Sequence, residues 1–145
     1  MSFLKQLRDL LKKRESPALT PDTPGLKIVV EAFDPAEADS SVLARSPGWV
    51  PDAPAVLRHH LTLPRERVAE AAAILAQDGW DLREPAETED SADALARVEA
   101  QRVQVLDALH CAQERSRMAG LAQRLGGDSL GWDARQPGES PTAPA

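Results

Sequence analysis

Apolar positions along the chain follow two periods, and each change of period marks an element. From residue 55 the reading is regular. Val56, His59 or His60, Leu61 and Leu63 predict a strand closed by Pro64. Residues 65–78 switch to helical spacing. Val68, Ala71, Ala72 and Leu75 share one face, Ile74 lies beside them, and Pro64 suits the first turn. Gly79 stands where a helix commonly stops on a left-handed residue. Trp80-Asp81-Leu82-Arg83 alternates apolar and charged and predicts a second strand. Residues 84–93 carry five acids and no base, which reads as a solvated loop.

Residues 94–126 fit two patterns. Ala, Leu, Glu, Gln and Arg favour one long helix, whereas Val98, Ala100, Val103 and Val105 allow a strand with one bulge. A helix of that whole length would be unusual in so small a domain. We therefore divide the segment into a third strand over 95–106, paired with 80–83, and a helix over 108–125 capped by Asp107. Leu109, Ala112, Leu121 and Leu125 are expected to face the core. Gly126-Gly127 ends that helix, and 130–134 predicts a last short strand. The order strand, helix, strand, strand, helix, strand predicts an α+β fold, a ferredoxin-like βαββαβ sandwich with helices on one face of an antiparallel sheet.

Before residue 55 the pattern is less regular. Phe3, Leu4, Leu7, Leu10 and Leu11 form an apolar stripe over 3–14 opposite basic residues, so 1–15 reads as an amphipathic basic helix. So short a helix is marginal alone in water, and its own domain, a membrane surface and another protein all stay open as its support. Residues 16–25 hold Pro17, Pro21 and Pro24 and read as a linker. Residues 26–33 predict an extra strand. Residues 34–54, with Pro35, Pro47, Pro51 and Pro54, read as a long loop in which Trp49 covers part of the core. The domain proper is then 55–135, and 136–145 is an expected disordered tail.

Two stretches carry a likeness to a known family. One runs from Arg58-His59-His60-Leu61-Thr62-Leu63-Pro64 to Gly79-Trp80, the other from Leu121 to Asp133. Together they resemble the regulator of ribonuclease activity B family, an inhibitor-type domain of ribonuclease E. In that family the second helix ends in Gly-Gly, an acid, Tyr-Asp, then Gly-Trp and an acid. Gly126, Gly127, Gly131, Trp132 and Asp133 match, and Ser129 and Leu130 stand in place of Tyr-Asp. The resemblance implies the ferredoxin-like fold and binding to ribonuclease E or a similar enzyme. The departure at 129 and 130 bears on the partner contact more than on the fold. The five matching residues are expected to be structural, because a helix end and a tight return need such glycines.

Composition narrows the function classes. Three Trp, two Phe and no Tyr leave the core to Leu, Val and Ala and argue against a base-stacking platform. Seventeen basic and 23 acidic residues give a formal charge of -6, the wrong sign for a general nucleic-acid binder, so no direct nucleic-acid contact is expected. Residues 1–15 hold five bases against two acids, a basic end on an acidic body, which suits at most a weak membrane-surface contact through 3–14. The single Cys111 cannot form an internal disulfide, which fits a reducing cytoplasm. The longest uncharged run is residues 71–77, too short to span a bilayer. Lys5 and Arg8 inside the first apolar segment argue against a secretory signal.

No catalytic constellation emerges from the remaining residues. His59 and His60 are adjacent on a strand and point to opposite faces, so they do not share a metal easily. His110 and Cys111 form a nucleophile pair only through tertiary contact, and a small core cysteine is the better reading. Glu84, Glu87, Glu89, Asp90 and Asp93 lack the alternating oxygens and central glycine of a calcium loop. Arg-Leu-Gly-Gly-Asp at 124–128 closes a helix where a phosphate-binding loop opens one. Neither metal nor cofactor is expected. The reading is a non-catalytic regulatory domain in the cytoplasm that binds a protein, with the five acids at 84–93 as the contact and an RNA-degrading enzyme as the target. Two alternatives stay open: a membrane-peripheral adaptor docking through the N-terminal helix, and a small-ligand binder or enzyme using the sheet face.

Overall fold

The computed structural model describes residues 18–85 and 94–138. The expected helix at 3–14, and the tail beyond residue 138, lie outside them. Among the described residues five strands form one antiparallel sheet: β1 (Leu26–Ala32), β2 (Pro54–Pro64), β3 (Asp81–Arg83), β4 (Leu95–Val105) and β5 (Asp128–Pro137). Three helices accompany them among the same residues: α1 (Asp39–Ala44), α2 (Val68–Ala76) and α3 (Ala108–Arg124). The strand order is β1-β5-β2-β4-β3, so this is an α+β fold. β4 lies between β2 and β3, and β2 lies between β4 and β5, so two strand-helix-strand units interleave. β1 extends the sheet beyond β5.

Strand parity separates two faces. Leu57, Leu61 and Leu63 of β2 share a face with Val98 and Ala100 of β4, Trp132 and Ala134 of β5, and Val30 and Ala32 of β1. These residues and the buried sides of the three helices form one core. The opposite face carries Arg58 and His60, and none of the three described helices packs over it. β2 is central, and only Arg58, Thr62 and its two ends keep appreciable exposure.

The division of 94–126 agrees with the structure. β4 pairs with β2 from Pro54↔Val105 to Pro64↔Leu95, and the Asp107 side chain accepts the His110 amide as the cap of α3. The cap also sets the helix phase, which corrects the expected core face. Leu109 is 64% exposed and Ala112 is exposed, while Cys111, Glu114, Met118, Leu121 and Leu125 turn inward. Residues 65–78 begin as a 3-10 turn, Arg65–Arg67, before α2. The expected loop over 34–54 contains α1, which buries Asp39, Val42 and Leu43. The expected tail begins too early, because β5 runs to Pro137. Gln136 is held there by accepting from the Val50 amide at 2.9 Å and donating to the Val50 carbonyl at 3.0 Å. No helix among the described residues is long and apolar enough to cross a membrane.

Candidate functional site

The face opposite the core carries a connected set of charges. Register places Arg58 beside Asp133 and His60 beside Glu99. The Arg58 guanidinium forks onto Asp133, with Nε to Oδ1 at 2.7 Å and Nη2 to Oδ2 at 2.9 Å. The same Oδ2 lies 2.7 Å from His60 Nε2. Arg58 Nη1 reaches Glu99 at 3.3 Å, Gln101 donates to Glu99 at 3.2 Å, and Arg135 donates to Gln101 at 3.3 Å. Burial works against the Asp133 charge, but the bonds from His60 and Arg58 outweigh it and hold its carboxyl below the usual range. The Phe33 ring sits 5.3 Å from the His60 ring. Residues ahead of β1 cross the far end of this face, where Asp22 pairs with Arg83 at 2.7 Å and the Pro21 carbonyl accepts from Arg135 at 3.3 Å. The carboxylates here already hold cations, which suits a fixed polar surface better than acid-base chemistry.

His59 points the other way, into the core, as adjacency on a strand requires. It is 1% exposed, and its ring meets Trp80 edge to face at 5.3 Å. Neither ring nitrogen has a hydrogen-bond partner among the described residues. Burial, then the nearby charges of His60, Arg102 and Arg115, push its pKa down to about 3, against a smaller opposing pull from Asp133. The unfolded chain takes up this proton below about pH 6.5, while the folded chain stays neutral at His59 until about 3. The His59 contribution to stability is therefore complete above pH 6.5 and falls as pH drops, by about 1.4 kcal/mol per unit inside that window. Between pH 6 and 4.5, the unfolding free energy of His59→Leu should decline less steeply than that of the wild type. Equal slopes would show that His59 protonates within the fold.

The structure separates the remaining predicted residues. Glu84 lies just past β3 and accepts from Arg65 at 3.0 Å, while Glu87, Glu89, Asp90 and Asp93 lie outside the described residues. Gly126 and Gly131 have positive φ, at 88° and 132°. Trp132 is fully buried, and its indole N–H donates to Asp39 Oδ1 at 3.1 Å. Asp133, its neighbour, turns to the charged face. His110 is exposed and bonds Asp107 at 2.6 Å. Cys111 is buried, and desolvation first, then Glu114, push its thiol up to about 12, so it is no nucleophile. Among the described residues no three His, Cys, Asp or Glu side chains could hold a metal ion.

The reading that no Gly-x-Ser-x-Gly occurs is corrected by Gly127-Asp128-Ser129-Leu130-Gly131, which satisfies that spacing. A nucleophile elbow needs that pattern between a strand and a following helix. Here it follows α3 and opens β5, and no hydrogen bond among the described residues reaches the Ser129 hydroxyl. Arg58 and Glu99 escape sequence reasoning for another reason, since their partners lie on other strands. Period-2 alternation marks Arg58 as facing away from the core, but nothing local marks Asp133 as its mate.

Comparison with curated proteins and with solved structures finds no match. A family model described as regulator of ribonuclease activity B matches residues 36–134, from the loop before α1 through most of β5 and well over half of the chain. The chain belongs to the regulator of ribonuclease activity B family.

Proposed function

We propose that this protein is a non-catalytic regulator that binds a ribonuclease such as ribonuclease E in the cytoplasm and lowers its activity. Family membership carries this reading. The interleaved strand-helix-strand units and their strand order support a ferredoxin-like sandwich, a shape that serves many functions, so the partner rests on the family and not on the fold. Gly126, Gly127, Gly131, Trp132 and Asp133 are read as a structural motif that fixes the sheet. A ligand-binding enzyme is less well supported. His59, whose pKa burial pushes down, is sealed in the core, and on the charged face Asp133 is already bonded to Arg58 and His60.

The contact surface in this reading is the acidic segment containing Glu84, Glu87, Glu89, Asp90 and Asp93, which leaves the sheet at its β3 edge. Charges at the rim of an interface set association rate and salt dependence more than final affinity. Neutral replacement of Glu87, Glu89 and Asp90 should therefore slow association with purified ribonuclease E by roughly tenfold at low salt. The effect should shrink at high salt, and the thermal midpoint should barely move. Wild-type association by the triple variant at low salt would reduce the segment to a solubilising loop.

A further inference from the structure

Where β1 ends, a hollow of about 210 Å³ opens between the sheet and α3. Ala32, Ala119 and Gly131 contribute only small side chains to its lining, and Phe33 and Leu130 stand at its rim, 43% and 38% exposed. The hollow depends on an irregular backbone. His60 pairs with Gly131 but Leu61 pairs with Ser129, so Leu130 is a bulged residue without a partner on β2. Gly131 has φ +132°, and a Cβ there would lie 2.5 Å from the Ala32 carbonyl oxygen and 2.7 Å from Phe33 Cδ1. The close approach of Phe33 to β5 therefore needs this glycine.

Among the described residues, Arg115 is the charged side chain that lines the hollow. Its Nη2 pairs with Asp39 at 3.1 Å, and its Nη1 donates to the Glu37 carbonyl at 3.2 Å. A guanidinium has five N–H donors, so this one is held rigidly and still has hydrogen-bonding capacity. The volume falls below the roughly 300–1,000 Å³ of small-molecule sites. It suits one side chain. Apolar walls with a fixed donor match a peptide unit, which joins an apolar side chain to a carbonyl acceptor.

We infer that this hollow docks a single leucine- or phenylalanine-sized side chain of a partner polypeptide, with the carbonyl of that residue facing Arg115. The inference deepens the regulatory reading, in which the partner is a protein, and supplies an apolar anchor at the β1–β5 side of the sheet, away from the acidic segment at the β3 edge. The direct test uses no ribonuclease. Amide spectra of the chain titrated with N-acetyl-L-leucinamide should show saturable shifts confined to Ala32, Phe33, Ala119, Leu130 and Gly131. Ala119→Trp, which fills the hollow from a half-buried site, and Leu130→Asp, at an exposed one, should both abolish them while keeping the wild-type thermal midpoint. Scattered or non-saturating shifts would overturn the inference, as would shifts that survive in both variants. Shifts of the same amides on concentrating the chain without probe would assign the hollow to a second copy and also overturn it. A further arm measures binding to ribonuclease E, which Ala119→Trp should weaken roughly tenfold or more. Saturable probe binding with no ribonuclease binding by the wild type would sink the regulatory reading alone. Unchanged ribonuclease binding by Ala119→Trp would sink the hollow alone.

Discussion

Replacing Trp132 by alanine should lower the unfolding free energy by about 3–5 kcal/mol, the usual cost of emptying a large aromatic site. The indole is 0% exposed, faces His59 at 6.5 Å between ring centres, and ties β5 to α1 through Asp39. Asp39 also holds Arg115 of α3, so truncation removes a donor from a buried carboxylate as well as opening a cavity. Both effects push toward the upper half of that range. Trp132→Phe keeps most of the apolar volume but loses the N–H, and should cost about 1–3 kcal/mol. Denaturant titrations with an unchanged m-value would measure both. A cost under about 1 kcal/mol for Trp132→Ala, with partner binding lost, would make Trp132 a contact residue.

Gly127→Ala should be as damaging for a different reason. Gly127 follows the end of α3, and its amide donates to the Ala122 carbonyl at 2.7 Å. A Cβ on Gly127 would sit 1.8 Å from the Thr62 carbonyl oxygen and 2.8 Å from its carbonyl carbon, inside the backbone of the central strand. Neither neighbour can swing aside as a flexible side chain would. The helix end must move or β2 must bend, at roughly 3 kcal/mol or more. Gly126→Ala is the control. Gly126 has φ +88°, but its nearest obstacle is Pro64 Cγ at 3.5 Å, so the cost is the left-handed strain of about 1–2 kcal/mol. Similar stability for the two variants would contradict the close approach of Gly127 to β2.

These two glycines show how far the sequence is legible. Gly-Gly after a helical pattern announces a stop, and Gly126 behaves as such a stop should. The requirement at Gly127 comes from Thr62, distant in sequence, and no local pattern carries it. The same division holds elsewhere. Asp107 before Ala108 places the end of β4 and the start of α3, because capping is local chemistry. The inward turn of Glu114 is tertiary. Gln104 donates to it at 2.9 Å and Arg102 at 2.8 Å, so a carboxylate takes an apolar stripe position that composition alone would leave to Leu109 or Ala112. Val42-Leu43 is too short an apolar signal to stand out between Pro35 and Pro47, so the sequence of α1 reads as loop. In the motif Trp132-Asp133 both residues are visible as a pair, yet a strand sends them to opposite faces. Trp132 enters the core, and Asp133 joins Arg58 and His60 on the charged face.

In the proposed function the chain regulates a ribonuclease without cutting RNA itself. The most direct measurement is the initial rate of RNA cleavage by purified ribonuclease E as the full-length chain is added, with the chain alone on the same RNA as the control. A saturable fall in rate, with no cleavage by the chain alone, is expected. A rate that stays constant with the chain in large excess, or RNA cleavage by the chain without ribonuclease E, would contradict it.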